Sequence, residues 1–293
     1  MKIVFVILHY LAEEETYKSV ESIKSKIDTD DYMIVIVDNA SPDKSGKRLE
    51  EKYSEDEKIN VILNKKNLGF AQGNNVGFTY AKEKWNPNFI VLMNNDVYIL
   101  DNNLVNKIEQ EYERSCFAVL GPLIMTVDGR CNINPIRHTP ASLETVRHDI
   151  KAYKLKALIY KLHLSWLRRL YNKLKCSSKE KSYKNYIDRC EYVQLHGAFL
   201  VFSKKYTDKF NGLDSRTFLY REEAILYKHL TENHMNSVYL PDIHVFHKED
   251  ASTDKMVRTS REKEWFEITH HLHSLQILLD IYKFYEKNNT REG

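Results

Sequence analysis

The sequence predicts an α/β protein with a mostly parallel central sheet flanked by helices. Three observations carry that prediction. Apolar, β-branched runs begin at Ile3, Tyr32, Ile59, Asn88 and Phe117, roughly thirty residues apart. The polar stretches between them carry apolar residues at helical spacing. The runs themselves are continuously apolar, as strands are when helices cover both faces of a sheet.

In chain order, IVFVIL from Ile3 is the first strand, followed by a helix over Glu14 to Lys26. YMIVIV from Tyr32 precedes a helix over Asp43 to Tyr53, with Ser41-Pro42-Asp43 suited to capping it. INVIL from Ile59 leads to a helix over Gln72 to Trp85, and NFIVLM from Asn88 to one over Asn103 to Arg114. FAVLG from Phe117 is a fifth strand, and a less regular stretch follows from Thr126 to His148. Leu155, Ile159, Leu162, Trp166 and Leu170 then recur at helical spacing, while Lys154, Lys161, Arg168 and Lys175 recur every seven residues on another side. That pattern is a basic amphipathic helix. Tyr192 to Phe202 reads as a strand, Arg221 to Leu230 as a helix, Ser237 to Leu240 as a short strand, and Lys263 to Tyr285 as a C-terminal helix.

With 42% hydrophobic and 29% charged residues in 293, the chain can bury a substantial core and is neither a disordered nor a collagen-like sequence. Its longest apolar runs, Ile3 to Leu8 and Phe89 to Met93, are far shorter than the ~20 residues that span a bilayer. The apolar N-terminal run is also too short for a secretory signal, so a cytoplasmic protein is expected. Cys116, Cys131, Cys176 and Cys190 lack CxxC spacing, which argues against a zinc module or a disulfide scaffold. The net charge of +3 conceals an asymmetry: Lys151 to Lys184 holds eleven Lys/Arg against one acid, Glu180, a local +10 that leaves −7 elsewhere.

In a doubly wound sheet, ligands bind beyond the carboxyl ends of the strands. The first such loop, His9-Tyr10-Leu11-Ala12, has no glycine, so neither a dinucleotide fingerprint nor a P-loop is present. The second, Asp38-Asn39-Ala40-Ser41-Pro42-Asp43, offers an acid and polar neighbours that can bond a ribose hydroxyl or a base N–H. The third, Asn67 to Gly77, has glycines at 69, 73 and 77, which admit either a ligand or a closely packed helix. The fourth, Asn94-Asn95-Asp96, places one carboxylate among amides, suited to a divalent cation shared with a diphosphate, or to an Asx turn. Further on, Glu222-Glu223 can supply a general base or merely complement a helix dipole.

Taken in order, these clusters resemble the inverting family 2 glycosyltransferases of GT-A fold, in particular their rhamnosyltransferase-like and capsular polysaccharide branch. The resemblance rests on Asp38-Asn39-x-Ser41-x-Asp43, Asn67-x-Gly69-Phe70-Ala71-x-Gly73-Asn74-Asn75-x-Gly77, Asn94-x-Asp96, Gly197-Ala198, Phe218-x-Tyr220-x-Glu222-Glu223, and a late His247 and Ser252. It implies a GT-A domain over residues 1–255, with a nucleotide-sugar-binding half (1–125), an insertion carrying the basic helix (126–189) and an acceptor and catalytic half (190–255). Residues 256–293 would then be a helical extension. It implies that His9, Tyr10, Asp38, Asn39, Ser41, Asn67, Gly69, Phe70, Asn74, Asn95 and Gly197 surround a UDP- or dTDP-linked sugar, with Asp38 reading the base. Asp96 and His247 would hold Mg2+ or Mn2+, His244 being the alternative histidine. Glu223, with Glu222 beside it, would be the catalytic base. The acceptor would be a hydroxyl of a glycan or lipid-linked acceptor in bacterial surface polysaccharide synthesis.

This sequence departs from the family in having Tyr10-Leu11 after the first strand, Asn94 in place of an acid, and Glu at 223 where Asp is usual. The basic segment, 151–184, is either a solvated insertion or a peripheral contact with anionic lipid at the inner face of the plasma membrane. No nucleic-acid recognition motif accompanies the charge, so no nucleic acid is expected as a partner. The competing functions are a nucleotidyltransferase, which should carry a basic glycine-rich loop after the first strand, and a non-catalytic membrane-docking scaffold of the same fold.

Overall fold

The computed structural model describes residues 1–131, 133–163, 188–249 and 259–289. Four strands, β1 (Ile3–His9), β2 (Tyr32–Asp38), β3 (Ile59–Leu63) and β4 (Phe89–Asn94), lie parallel in the order β3-β2-β1-β4. Between them run α1 (Glu13–Lys26), α2 (Ser45–Lys52) and α3 (Gly69–Trp85). Three acids in the first turn of α1 and Lys24 and Lys26 in its last complement the helix dipole. The strand order reverses at β1, so the ends of β1, β2 and β4 open a crevice, and the loops after these strands meet there.

The sheet then departs from simple alternation. The next neighbour of β4 is not β6 (Val119–Thr126), reached through α4 (Leu104–Ser115), but β8 (Phe199–Ser203), which runs antiparallel between them. Beyond β6 come β9 (Ser237–His247), parallel to it, and the short antiparallel β5 (Val97–Ile99); β7 (Cys190–Glu191) also pairs with β9. The sheet remains mostly parallel. The strand expected over Tyr192 to Phe202 begins only at Phe199. The one expected over Ser237 to Leu240 continues to His247, through an irregularity that pairs Leu240 with Pro122 and His244 with Leu123.

Side chains alternate from these strands into two apolar layers. Ile3, Phe5 and Ile7 point into one with Val20 and Ile108; Val4 and Val6 point into the other with Phe78 and Leu226. A third, smaller layer joins α5 (Leu143–Lys161), α7 (Glu222–Glu232) and α8 (Ser260–Asn289) through Val146, Ile150, Ile225, Leu275 and Leu278. The short α6 (Lys204–Thr207) follows β8. Helix α5 follows the loop that holds the cis Asn134-Pro135 bond, with Ser142 accepting a bond from the Thr145 amide as its cap. Val146 and Ile150 carry its buried face, whereas Leu155 and Leu162, expected on the apolar side, are exposed. Trp166 and the rest of the basic segment beyond His163, like Ser252, lie outside the described residues. Cys116, Cys131 and Cys190 are free thiols.

Candidate active site

The carboxyl ends of β1 and β2 meet through a buried polar network. The pairing of His9 with Asp38 places the two side by side. His9 is fully buried, with Nδ1 2.7 Å from Thr16 Oγ1 and Nε2 2.8 Å from Ser45 Oγ, so it cannot touch a ligand as expected. Burial lowers its pKa, against the pull of Asp38. Asp38 accepts bonds from the Ser41 amide at 3.2 and 3.3 Å and presses against Gly46. Ser41 Oγ accepts from the Leu11 amide, tying this loop to the one after β1, where Tyr10 is half-buried.

Asn39 uses its whole hydrogen-bonding capacity on protein. Its Nδ2 donates to Asn67 Oδ1 and the Gly69 carbonyl, and its Oδ1 accepts from the Leu68 amide and Asn64 Nδ2. Asn67 also receives the Gly69 amide, Asn74 donates within α3 to the Phe70 carbonyl, and Asn95 donates to Thr16 Oγ1. Asn39, Asn74 and Asn95 are buried. Expected as ligand contacts, these amides are instead staples beneath the crevice. Gly69 has φ +78°, and the space a side chain would need is filled by the Phe218 carbonyl. The glycines of α3 therefore bring it against the 212–221 loop and, at Gly77, against Val6 and Val37, rather than clearing room for a ligand. The same docking is made by Asn75, which exchanges bonds with both backbone groups of Leu213.

Across the crevice, the pairing of Val97 with His247 sets Asp96 beside His247. His247 Nε2 lies 3.3 Å from Asp96 Oδ1, both side chains are largely buried, and His247 Nδ1 has no partner. His244 faces the other way, onto Asp101 at 3.3 Å. An oxygen and an imidazole nitrogen converging at one point suit a divalent cation that takes its other ligands from a diphosphate and water. No cluster of three or more metal-ligating side chains occurs among the described residues, so a dedicated all-protein cage is not formed there.

Next to His247 stands His196, a residue the sequence reading missed; their rings meet edge to face at 5.9 Å. His196 Nδ1 accepts the Ala198 amide at 3.1 Å, which leaves its Nε2 to carry the proton. Its place directly before Gly197-Ala198 was the available signal. Glu223 comes from the first turn of α7 and packs onto Gly197. Glu222, one residue earlier, is buried; burial first, and the charge of Glu223 second, push its pKa up to about 8. Its burial thus favours the protonated form, which makes Glu223 the better placed of the two to act as base. Glu222, Glu223, Gly197, His196, Phe70 and Asn94 all line one cavity of about 480 Å³. The structure therefore gathers Phe70, Gly197, Glu222 and Glu223 around one space and Asp96 with His247 beside it, and leaves Asp38 and Ser41 at the far end of the crevice.

The family model described as "Glycosyl transferase family 2" matches residues 4–173, from β1 into the basic segment. Among curated protein sequences, none matches this chain. Among solved structures, S. aureus TarS 1-349 superposes with a TM-score of 0.54 at 14% identity, covering 93% of this chain and 64% of that one. Its complex with UDP-GlcNAc gives 0.54 at 15% identity, with coverage of 93% and 65%. GalNAc-T7 with UDP, GalNAc and Mn2+ gives 0.55 at 11%, covering 85% of this chain and 44% of that one. At these identities the likeness speaks to the fold, and the chain spans under two thirds of each of these structures. The family match covers more than half of the sequence, and the chain belongs to glycosyl transferase family 2.

Proposed function

We propose that this protein is an inverting glycosyltransferase that moves a sugar from a UDP- or dTDP-linked donor to a hydroxyl of a glycan or lipid-linked acceptor, in bacterial surface polysaccharide synthesis. The observation that carries the reading is the placement of one free-facing carboxylate, Glu223, in the same cavity as Gly197 and Asn94, with the Asp96–His247 pair adjoining it. Neighbours of the same fold are seen with UDP and a UDP-sugar, which supports a uridine donor here.

In this reading Asp38 and Ser41 border the nucleoside end, and Asn39 keeps their loop in register with α3. Asp96 and His247 would hold Mg2+ or Mn2+; bound there, the ion would neutralise charge growing on the departing diphosphate. Glu223 takes the proton of the acceptor hydroxyl while that oxygen attacks the anomeric carbon. The diphosphate leaves from the opposite face, so the configuration inverts. Neutral Glu222 keeps a second negative charge away from Glu223 and supplies a donor.

A peripheral membrane role is favoured by one further observation. Leu155, Leu158 and Leu162 are more than half exposed on α5, interleaved with exposed Lys151, Lys154 and Lys161. No helix among the described residues is long and apolar enough to cross a membrane.

The test is thermal melting with UDP, dTDP, GDP, CDP, ATP and NAD, each with and without Mn2+ or Mg2+. A ligand at ~100 times its dissociation constant stabilises by about 2.7 kcal/mol, a readable shift. The expected result is a metal-dependent shift with UDP or dTDP. A flat panel on folded protein would overturn the donor assignment.

A further inference from the structure

The cavity that ends on Glu223 is closed on its far side by α8, which lies wholly beyond the residues matched by the family model. Two consecutive non-glycine residues there, Tyr220 (φ 71°) and Arg221 (φ 70°), adopt the left-handed conformation just before α7. Such strain persists only where surrounding contacts hold it, and it clusters at ligand sites. Here Tyr220 stacks on His271 of α8, centroids 4.0 Å apart and planes 11° from parallel, and Tyr153 of α5 packs against the same imidazole at 4.8 Å. Arg221, held between these contacts, lines the cavity. Its terminal nitrogen lies 3.5 Å from Asp149 of α5, its guanidinium also bonds Tyr153, and its Nε is buried with no partner.

Three buried polar atoms without partners therefore belong to residues lining this one space: Arg221 Nε, His271 Nδ1 and Glu222 Oε1. Buried polar atoms are almost always bonded, and each exception asks for an explanation. The charge around them is uneven. Arg221 and, at the rim, Arg137 face a single fixed acid, Asp149, apart from the base Glu223 itself. The Arg221 side chain is 26% exposed and meets Asp149 at 3.5 Å, and a guanidinium so placed can take the oxygens of an anion in exchange for that contact. Leu275, Leu278 and Val146 complete the wall with apolar surface.

We propose that this cavity is the acceptor subsite, and that Arg221, assisted by His271 and Arg137, binds an anionic oxygen group carried by the acceptor next to its reacting hydroxyl. The group is a carboxylate or a phosphate. The apolar wall from α8 takes the uncharged face of the same unit. This deepens the glycosyltransferase reading and rests on it, since the anion is placed beside the hydroxyl that Glu223 deprotonates.

The full chain, saturated with UDP and Mn2+, is titrated with glucuronate, glycerol 1-phosphate, glucose and glycerol at equal ionic strength, and melting is followed. The two anions should raise the melting temperature and the neutral polyols should not. A response to glucuronate alone identifies a carboxylate, and one to glycerol 1-phosphate alone a phosphate. Arg221→Gln should weaken the anion by about tenfold or more, the loss of a charge-assisted bond, with Arg221→Lys retaining part. Asp149→Asn removes the opposing charge and should strengthen it, a change that no merely structural role explains. The UDP shift should be the same in every variant. Equal stabilisation by glucose and glucuronate, or full anion binding in Arg221→Gln, would overturn the proposal. Loss of the UDP shift in the wild type would instead overturn the donor reading beneath it.

Discussion

Glu223 leans on the bare backbone of Gly197: a β-carbon added there would stand 2.9 Å from Glu223 Oε1. The carboxylate is thus located by the segment entering β8 as much as by its own helix. Gly197 does not adopt a positive φ, so alanine would add a contact without backbone strain. Gly197→Ala should fold normally and lower kcat by roughly 10–100-fold through misplacement of the base. The donor KM should hardly move. Glu223→Gln, which removes the base, should cost on the order of 10²–10⁴. Steady-state kinetics on both variants decide this; wild-type kcat in Gly197→Ala would show that the contact has no catalytic consequence.

Asn39 is the clearest case of a residue whose type announced a ligand and whose environment assigns it to the fold. All four of its side-chain bonds go to the loop between β3 and α3 and to the first residue of α3. Asn39→Ala would leave the Leu68 amide and the Gly69 carbonyl unanswered in a buried place, a cost of about 1–3 kcal/mol. Asn39→Asp keeps the acceptor but turns a carboxylate toward Asn67 Oδ1 and the Gly69 carbonyl, and should be no better. Urea unfolding measures the loss. Unchanged stability in both variants would mean that water replaces these bonds without penalty.

The same contrast shows what the sequence could reveal. Strands β1, β2 and β4 are legible because Ile3 to Ile7 and their counterparts are buried on both faces, which leaves a continuous apolar run, whereas β3, at the sheet edge, keeps such a run although only Ile59 of it is buried. The insertion of antiparallel β8 between β4 and β6 is not, since β8 pairs with β4 across more than a hundred residues of chain, as in Phe89 with Ser203, before it pairs with β6. Asp96, His247, Gly197 and Glu223 were legible as a constellation. His9, Asn39, Asn74 and Asn95 carry the same sequence signal as donor contacts, because a polar residue at a strand end looks alike whether it bonds a ligand or ties two loops together. Arg221 and His271 are not legible as a pair for another reason: fifty residues separate them, and only the packing of α8 on α7 and α5 brings them to one cavity.

Glu222 gives the site a pH signature. Its folded pKa is about 8, against an ordinary 4.5, because burial disfavours the charged form. Between those values the unfolded chain has released a proton that the folded chain still holds, so stability falls as pH rises. His271 acts in the opposite sense: burial lowers its pKa from 6.5 to about 4, so its contribution to stability rises with pH across that range. The two slopes oppose each other below pH 6.5, and from 6.5 to 8 that of Glu222 stands alone of the pair. The melting temperature should therefore decline from pH 6.5 to 8, and Glu222→Gln, neutral throughout, should flatten the decline. An identical slope in the variant would show that the carboxyl ionises in the folded protein as it does in water.

The exposed face of α5 separates an enzyme that works in solution from one that works at a surface. Leu155, Leu158 and Leu162 recur at intervals of three and four, one stripe of a helix, with exposures of 57%, 52% and 56%. Exposed lysines flank the stripe at 151, 154 and 161. Apolar insertion and attraction to anionic headgroups reinforce each other in such a helix, at about 1 kcal/mol per basic residue near the surface. The protein should co-sediment with vesicles containing phosphatidylglycerol and not with phosphatidylcholine alone. Raising the salt should weaken binding, because the Debye length shrinks to about 3 Å at 1 M. Leu158→Asp, on an already exposed position, should leave the folding stability within about 0.5 kcal/mol of wild type and still reduce sedimentation severalfold. If Leu158→Asp pellets as the wild type does, the stripe is a solvated helix face, and an acceptor on a lipid would have to reach Glu223 without help from α5.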